Sequence, residues 1–105
     1  MFHPASKLII ITEHFLSPKI CKIIDELHGK GYTLIPAGGK GLHHLHATAD
    51  KATVIEGFDN LRIEVVTHER SVAEAIAERV MKECFEVYSG VVYLESVEVC
   101  RLDRF

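Results

Sequence analysis

The chain has 105 residues, a length that fits one domain with a single modest core. Hydrophobic residues make up 48% of it, and the formal net charge is -3 with histidines neutral. This balance excludes a general nucleic-acid binder, no apolar run is long enough to span a membrane, and Met1 to Ser6 is too short and polar for a signal peptide.

Lys7 to Thr12 reads KLIIIT, a β-branched run expected to form a strand buried on both faces. A helix is expected next, with Ser17 as N-cap and Pro18 in its first turn. Leu16, Ile20, Ile23, Ile24 and Leu27 recur at helical spacing and mark its buried stripe, and Gly31 is the expected stop. Tyr32 to Ile35 reads as a short second strand ended by Pro36.

Ala37 to Phe58 shows no sustained period, and segments this long without one are usually functional or disordered. Alternation resumes from Asp59 to Thr67, with Leu61, Ile63 and Val65 on one face of a third strand. Ser71 and Glu74 have the S-x-x-E spacing of a capping box. The helix expected after it has the stripe Ala73, Ile76, Ala77, Val80 and Cys84. Ser89-Gly90 marks a turn, Val91 to Cys100 a final strand, and Arg101 to Phe105 a charged tail.

The order β-α-β-β-α-β gives an α+β, ferredoxin-like fold: a four-stranded antiparallel sheet with both helices on one face. The other face has no helix to cover it, yet the strands carry apolar residues on more than one face. Packing between the sheets of several subunits is therefore expected. Cys21, Cys84 and Cys100 form no C-x-x-C pair, and each is expected to act as a small buried hydrophobe. A reducing cytoplasm is the simplest setting for them.

The chemistry concentrates in the long loop. Gly38-Gly39-Lys40-Gly41 lets backbone N–H groups approach an anion and adds a cation, although the Walker spacing G-x-x-x-x-G-K-S/T is missing. Alone it reads sooner as an ordinary glycine-rich turn with a solvated lysine. Leu42-His43-His44-Leu45-His46 places three imidazoles beside it. They suit hydrogen bonds to phosphate or carboxylate, plain surface exposure, or a divalent cation, in that order, because no further ligand pair lies nearby in sequence. Glu13 and Ser89-Gly90 sit at strand ends, where ligands often bind, and Arg101 and Arg104 suit a phosphate of the same or a neighbouring subunit. His14, His28 and His68 read as surface or partly buried histidines. No nucleophile with a base partner appears, so no enzyme activity is expected.

KLIIITE (Lys7 to Glu13), KIIDELHGKGYT (Lys22 to Thr33), GGKG (Gly38 to Gly41), EVVTHERSVAEAIAERV (Glu64 to Val80) and YSGVVYLESVEV (Tyr88 to Val99) together resemble the PII-like signalling family. The resemblance is strongest to its carboxysome-associated and bicarbonate-transport branch. It implies one PII-like domain over residues 1–105, with the family's T-loop at about 37–58. It also implies a cytoplasmic homotrimer with ADP or AMP in clefts between subunits, bicarbonate as a second ligand, and a bicarbonate transporter or carboxysome-related protein as partner. By the same resemblance, Gly38, Gly39, Lys40 and Gly41 face phosphates, with His43 and His46 beside them. Glu13 and Thr33 lie near the nucleoside; Ser89 precedes Gly90, Val91 and Val92, which frame the base. The transporter-linked branch carries arginines where His43 and His46 stand, which favours ADP or AMP over ATP. No Tyr lies between Tyr32 and Tyr88, so uridylylation is not expected, and the cysteine-bearing C-terminal extension of some relatives is missing. The topology is shared with divalent-cation-tolerance proteins, which leaves a cation-binding trimer using His43, His44 and His46 as the alternative.

Overall fold

The computed structural model describes residues 1–39 and 59–105. Strand β1 (His3–Glu13) runs through a 3-10 turn (His14–Leu16) into helix α1 (Ser17–Glu26). Strands β2 (Thr33–Ala37) and β3 (Asn60–Thr67) follow, then helix α2 (Arg70–Glu83), strand β4 (Val91–Val99) and a 3-10 turn (Leu102–Arg104). All neighbouring pairs are antiparallel and the strand order is β2-β3-β1-β4, which is the ferredoxin-like arrangement expected.

The register fixes the core. Leu8 pairs with Val65 on one side and Leu94 on the other; Ile10 pairs with Ile63 and Val92. Because side chains alternate, these residues share the helix-covered face. They pack with Ile20, Ile23 and Ile24 of α1 and Ala73, Ile76 and Val80 of α2. Full burial of each such Ile or Leu contributes about 1.5–3 kcal/mol. The spacing of the two apolar stripes therefore explains why both helices lie on one side.

Ile9 faces the other way and is nonetheless fully buried, so β1 is covered on both faces there. Its cross-strand neighbours are Glu64 and Tyr93. Arg62 Nη1 donates to the Tyr93 hydroxyl at 3.2 Å, spanning from β3 to β4 across β1, and Arg62 Nε donates to Glu64 at 2.7 Å. Lys7 adds an ion pair to Glu64 at 3.5 Å. This polar strut roofs Ile9 where, among the described residues, no helix does. Around it, Ile35, Val91 and Tyr93 stay exposed on the helix-free face.

The helix ends depart from the sequence reading. Ser17 is the first residue of α1, not its N-cap; its hydroxyl donates to the His14 carbonyl at 2.8 Å, and Leu16 occupies the cap position. At the other end His28, not Gly31, ends the helix with a left-handed φ of 69°. Gly29 N–H donates to Ile24 O at 2.9 Å and His28 N–H to Asp25 O at 3.2 Å, the two bonds of a Schellman motif. Gly29 is where space is short, since a Cβ there would lie 2.5 Å from Ile24 Cγ2. The Ser71/Glu74 capping box does not form. Helix α2 begins two residues earlier, with Glu69 as cap and no side-chain cap bond. The Glu74 carboxylate is held by Arg70 Nε at 2.9 Å, so it does not reach back to the cap.

Three boundaries also move. Strand β1 begins at His3 rather than Lys7, and β4 ends at Val99 rather than Cys100. Pro36 does not end β2, which continues to Ala37. An edge strand tolerates the missing N–H because its outer side has no ladder to complete. The cysteines differ as well: Cys84 is buried, Cys21 is intermediate and Cys100 is exposed, so the buried-hydrophobe expectation fails at Cys100. Among the described residues no helix is long and apolar enough to cross a membrane.

Candidate functional site

Four chain segments meet at one end of the sheet. Strand β1 ends at Glu13, which pairs with Asn60, the first residue of β3; Asn60 also pairs with Ala37, where β2 leaves toward Gly38 and Gly39. Val91 opens β4 opposite Ile11, two positions from Glu13, so the Ser89-Gly90 turn lies at the same end. Antiparallel pairing alone brings Glu13, Gly38, Gly39, Ser89, Gly90 and Val91 together from distant parts of the sequence. Gly38 and Gly39 are exposed, and Ser89 and Gly90 are half-buried.

The glycines at this end have different causes. Among the described residues no atom lies within 4 Å of where a Gly39 Cβ would sit, so their packing does not demand a glycine there. Gly90 is demanded by packing, because a Cβ there would overlap the Phe85 ring. Its glycine is explained without any ligand.

The remaining expected residues distribute as follows. Val92 faces the helices opposite Ile10 and packs against the core, so only its backbone is offered at the sheet edge. Thr33 pairs with Glu64, four register positions from the Asn60–Ala37 pair, about 13 Å along the strand. Arg101 and Arg104 lie beyond Val99, which pairs with His3 at the opposite end of the sheet. Strand β4 alone separates them from Val91 by about 26 Å, so they do not reach a phosphate at the Glu13 end of their own subunit. Arg101 instead pairs with Asp103 at 3.2 Å. Lys40, Gly41, His43, His44 and His46 lie outside the described residues. Among the described residues no group of three His, Cys, Asp or Glu side chains could hold a metal ion.

Asn60 is a candidate site residue absent from the sequence reading. It is 1% exposed, and its Oδ1 has no hydrogen-bond partner among the described residues. A buried amide oxygen without a donor is costly, so one at the meeting point of four segments calls for a donor from outside them. The available signal was an Asn at the start of an alternating strand, a residue type that strands disfavour.

Electrostatics near the site come from the strut on the helix-free face. Burial raises the Glu64 carboxyl, but the Arg62 hydrogen bond and the Lys7 charge outweigh it, and its pKa lies below the ordinary 4.5. The Arg62 guanidinium is raised, chiefly by its hydrogen bond to Glu64.

Comparison with known proteins agrees with this fold. The solved structures it resembles include a PII-like signaling protein from Thermus thermophilus, 28% identical with a TM-score of 0.76, covering 98% of this chain and 96% of that one. They also include CPII from Thiomonas intermedia bound to ADP, AMP and acetate, 26% identical with a TM-score of 0.77, covering 100% and 97%. The same Thiomonas protein bound to ADP, AMP and bicarbonate aligns at 25% identity with a TM-score of 0.77, covering 100% and 96%. The family model for nitrogen regulatory protein P-II matches residues 5–104. The chain therefore belongs to the P-II family, and its fold is that of the PII-like proteins, the Thiomonas CPII branch included.

Proposed function

We propose that this protein is a non-enzymatic sensor that binds ADP or AMP in clefts between the subunits of a homotrimer. Bicarbonate is its second ligand, and the segment of about 37–58 carries the signal of inorganic-carbon or energy status. The observation that carries the reading is how one subunit distributes the expected ligand residues. Gly38, Gly39, Glu13, Asn60 and Ser89-Gly90 gather at one end of the sheet, whereas Arg101 and Arg104 stand at the other. A neighbouring subunit can supply the missing cations, and the exposed apolar residues of the helix-free face favour such packing. The Thiomonas relative, bound to ADP, AMP and bicarbonate, supports the choice of ligands.

In this reading Lys40 and Gly41 extend the phosphate cradle begun by Gly38 and Gly39, and His43 and His46 add hydrogen bonds that strengthen on protonation. Thr33 and Glu13 approach the nucleoside, and the Val91 and Val92 backbone frames the base. Ligand binding orders one loop conformation only through its preference for that conformation. A bicarbonate transporter or carboxysome-related protein in the cytoplasm reads the loop. Calorimetry with AMP, ADP and ATP, with and without bicarbonate, tests the reading, alongside sedimentation for the trimer. Heat with ADP or AMP, lost in an Arg101→Ala/Arg104→Ala protein that still forms trimers, supports it; no heat with any nucleotide overturns it.

A further inference from the structure

Phe85 follows α2, four residues before the Ser89-Gly90 turn. On one side its ring packs against the buried core cluster. Its outer edge, Cζ, Cε1 and Cε2, occupies the space that a side chain at Gly90 would take. The φ of Gly90 lies outside the left-handed region, so steric room and not backbone freedom requires this glycine. Two backbone bonds hold the approach to the turn: Phe85 N–H donates to Val80 O at 3.2 Å and Tyr88 N–H to Cys84 O at 3.1 Å. The Tyr88 ring meets Phe15 edge-on, with centroids 4.9 Å apart and planes at 80°. Phe15 belongs to the 3-10 turn directly after Glu13, so this pair ties the two sheet-end segments to each other.

We propose that Phe85 is a positioning residue. Wedged between the core and the bare Gly90 backbone, it transmits the rigidity of the α2 packing to the Ser89-Gly90 turn and holds that turn at the height a nucleotide requires. The proposal rests on the nucleotide reading above for its consequence, but not for the positioning itself. Phe85 touches no ligand; it acts through Gly90. A turn that is already ordered costs a ligand less to bind, so loosening it weakens affinity without removing any contact atom.

The test uses Phe85→Leu, Gly90→Ala, the double variant, and Ile23→Val as a control that perturbs the core from α1. Ordering a loosened turn on binding corresponds to about 10-fold in affinity, so Phe85→Leu is expected to raise the Kd for ADP by about that factor. Ile23→Val is expected to stay within about 2-fold of the parent, as a purely structural change distant from the turn should. Gly90→Ala forces the ring aside and weakens binding. In the double variant the new methyl fills part of the space the shorter Leu vacates, and affinity recovers toward the parent. Recovery supports the proposal; a double variant no better than either single, or a Phe85→Leu protein that binds like the parent, overturns it. Should the parent bind no nucleotide, the functional reading fails while positioning remains measurable. Amide exchange over Ser89 to Val92 would then be about 10-fold faster in Phe85→Leu than in Ile23→Val, and equal rates would overturn the proposal.

Discussion

Asn60→Val separates the stability of this fold from its function at one atom. Asn60 is 1% exposed and its Oδ1 lacks a partner among the described residues. Leaving a buried acceptor unpaired costs about 1–3 kcal/mol, whereas an apolar group of similar shape carries no such cost. Valine is β-branched and suits the first position of β3. Part of the gain is offset by imperfect packing, so the ligand-free protein is expected to gain about 1 kcal/mol, or about 4–8 °C in Tm for a domain this size. The ligand-bound protein behaves oppositely. If a ligand donates to Oδ1, the substitution removes that bond, and affinity falls by about 5- to 150-fold. The assays are urea or thermal unfolding without ligand and calorimetry with ADP and bicarbonate. A Tm lowered by several degrees with unchanged affinity would refute the reasoning, because it would mean that the Asn60 amide, its Nδ2 donor included, serves the folded structure only.

Other consequences follow from the same geometry. His28 holds a left-handed φ of 69° at the end of α1, a conformation that costs an L-residue about 1–2 kcal/mol. His28→Gly is therefore expected to raise stability by about 1 kcal/mol, read as a higher urea midpoint at unchanged slope; an unmoved midpoint counts against it. Gly29→Ala should do the reverse, since its Cβ would stand 2.5 Å from Ile24 Cγ2 and 3.2 Å from Ile24 O. Unfolding at a lower urea concentration checks it. The Glu64 carboxyl, lowered below 4.5 in the fold, contributes stability that is full above that value and lost as pH falls through its native pKa. Glu64→Gln should consequently show a shallower fall of Tm with acidification below about pH 5, and parallel curves for the two proteins would contradict the strut.

Much of the fold is legible in the sequence because it depends on periodicity. The stripes Ile20, Ile23, Ile24 and Ala73, Ile76, Val80 recur at helical spacing and are buried as that spacing requires. The alternation of Leu61, Ile63 and Val65 likewise places one face of β3 on the core. The misreadings share a different origin: each was a local motif whose partner was taken elsewhere. Ser71 and Glu74 have capping-box spacing, but Arg70 holds the Glu74 carboxylate. Gly31 suits a helix end, but the close packing of Gly29 on Ile24 ends the helix earlier and leaves the left-handed position to His28. Capping chemistry is decided by side-chain competition over a few ångströms, which spacing alone does not encode.

The site was legible to the extent that residue type reports a cause, and its glycines show where that stops. Gly39 and Gly90 read alike in sequence, each a glycine at a strand end beside a suspected ligand. In the fold they differ: among the described residues nothing crowds the Gly39 Cβ position, whereas the Phe85 ring fills that of Gly90. Only Gly39 keeps its value as a sign of close ligand approach; Gly90 is a packing glycine whose part at the site is to be held still. Arg101 and Arg104 carry the complementary lesson. Their charge suits a phosphate, yet β4 removes them from the Glu13 end of their own subunit by its full length. In the proposed trimer a single chain would carry both halves of a binding site at opposite ends of one sheet, each half completed by a second copy. On that reading, disrupting subunit packing should abolish nucleotide binding.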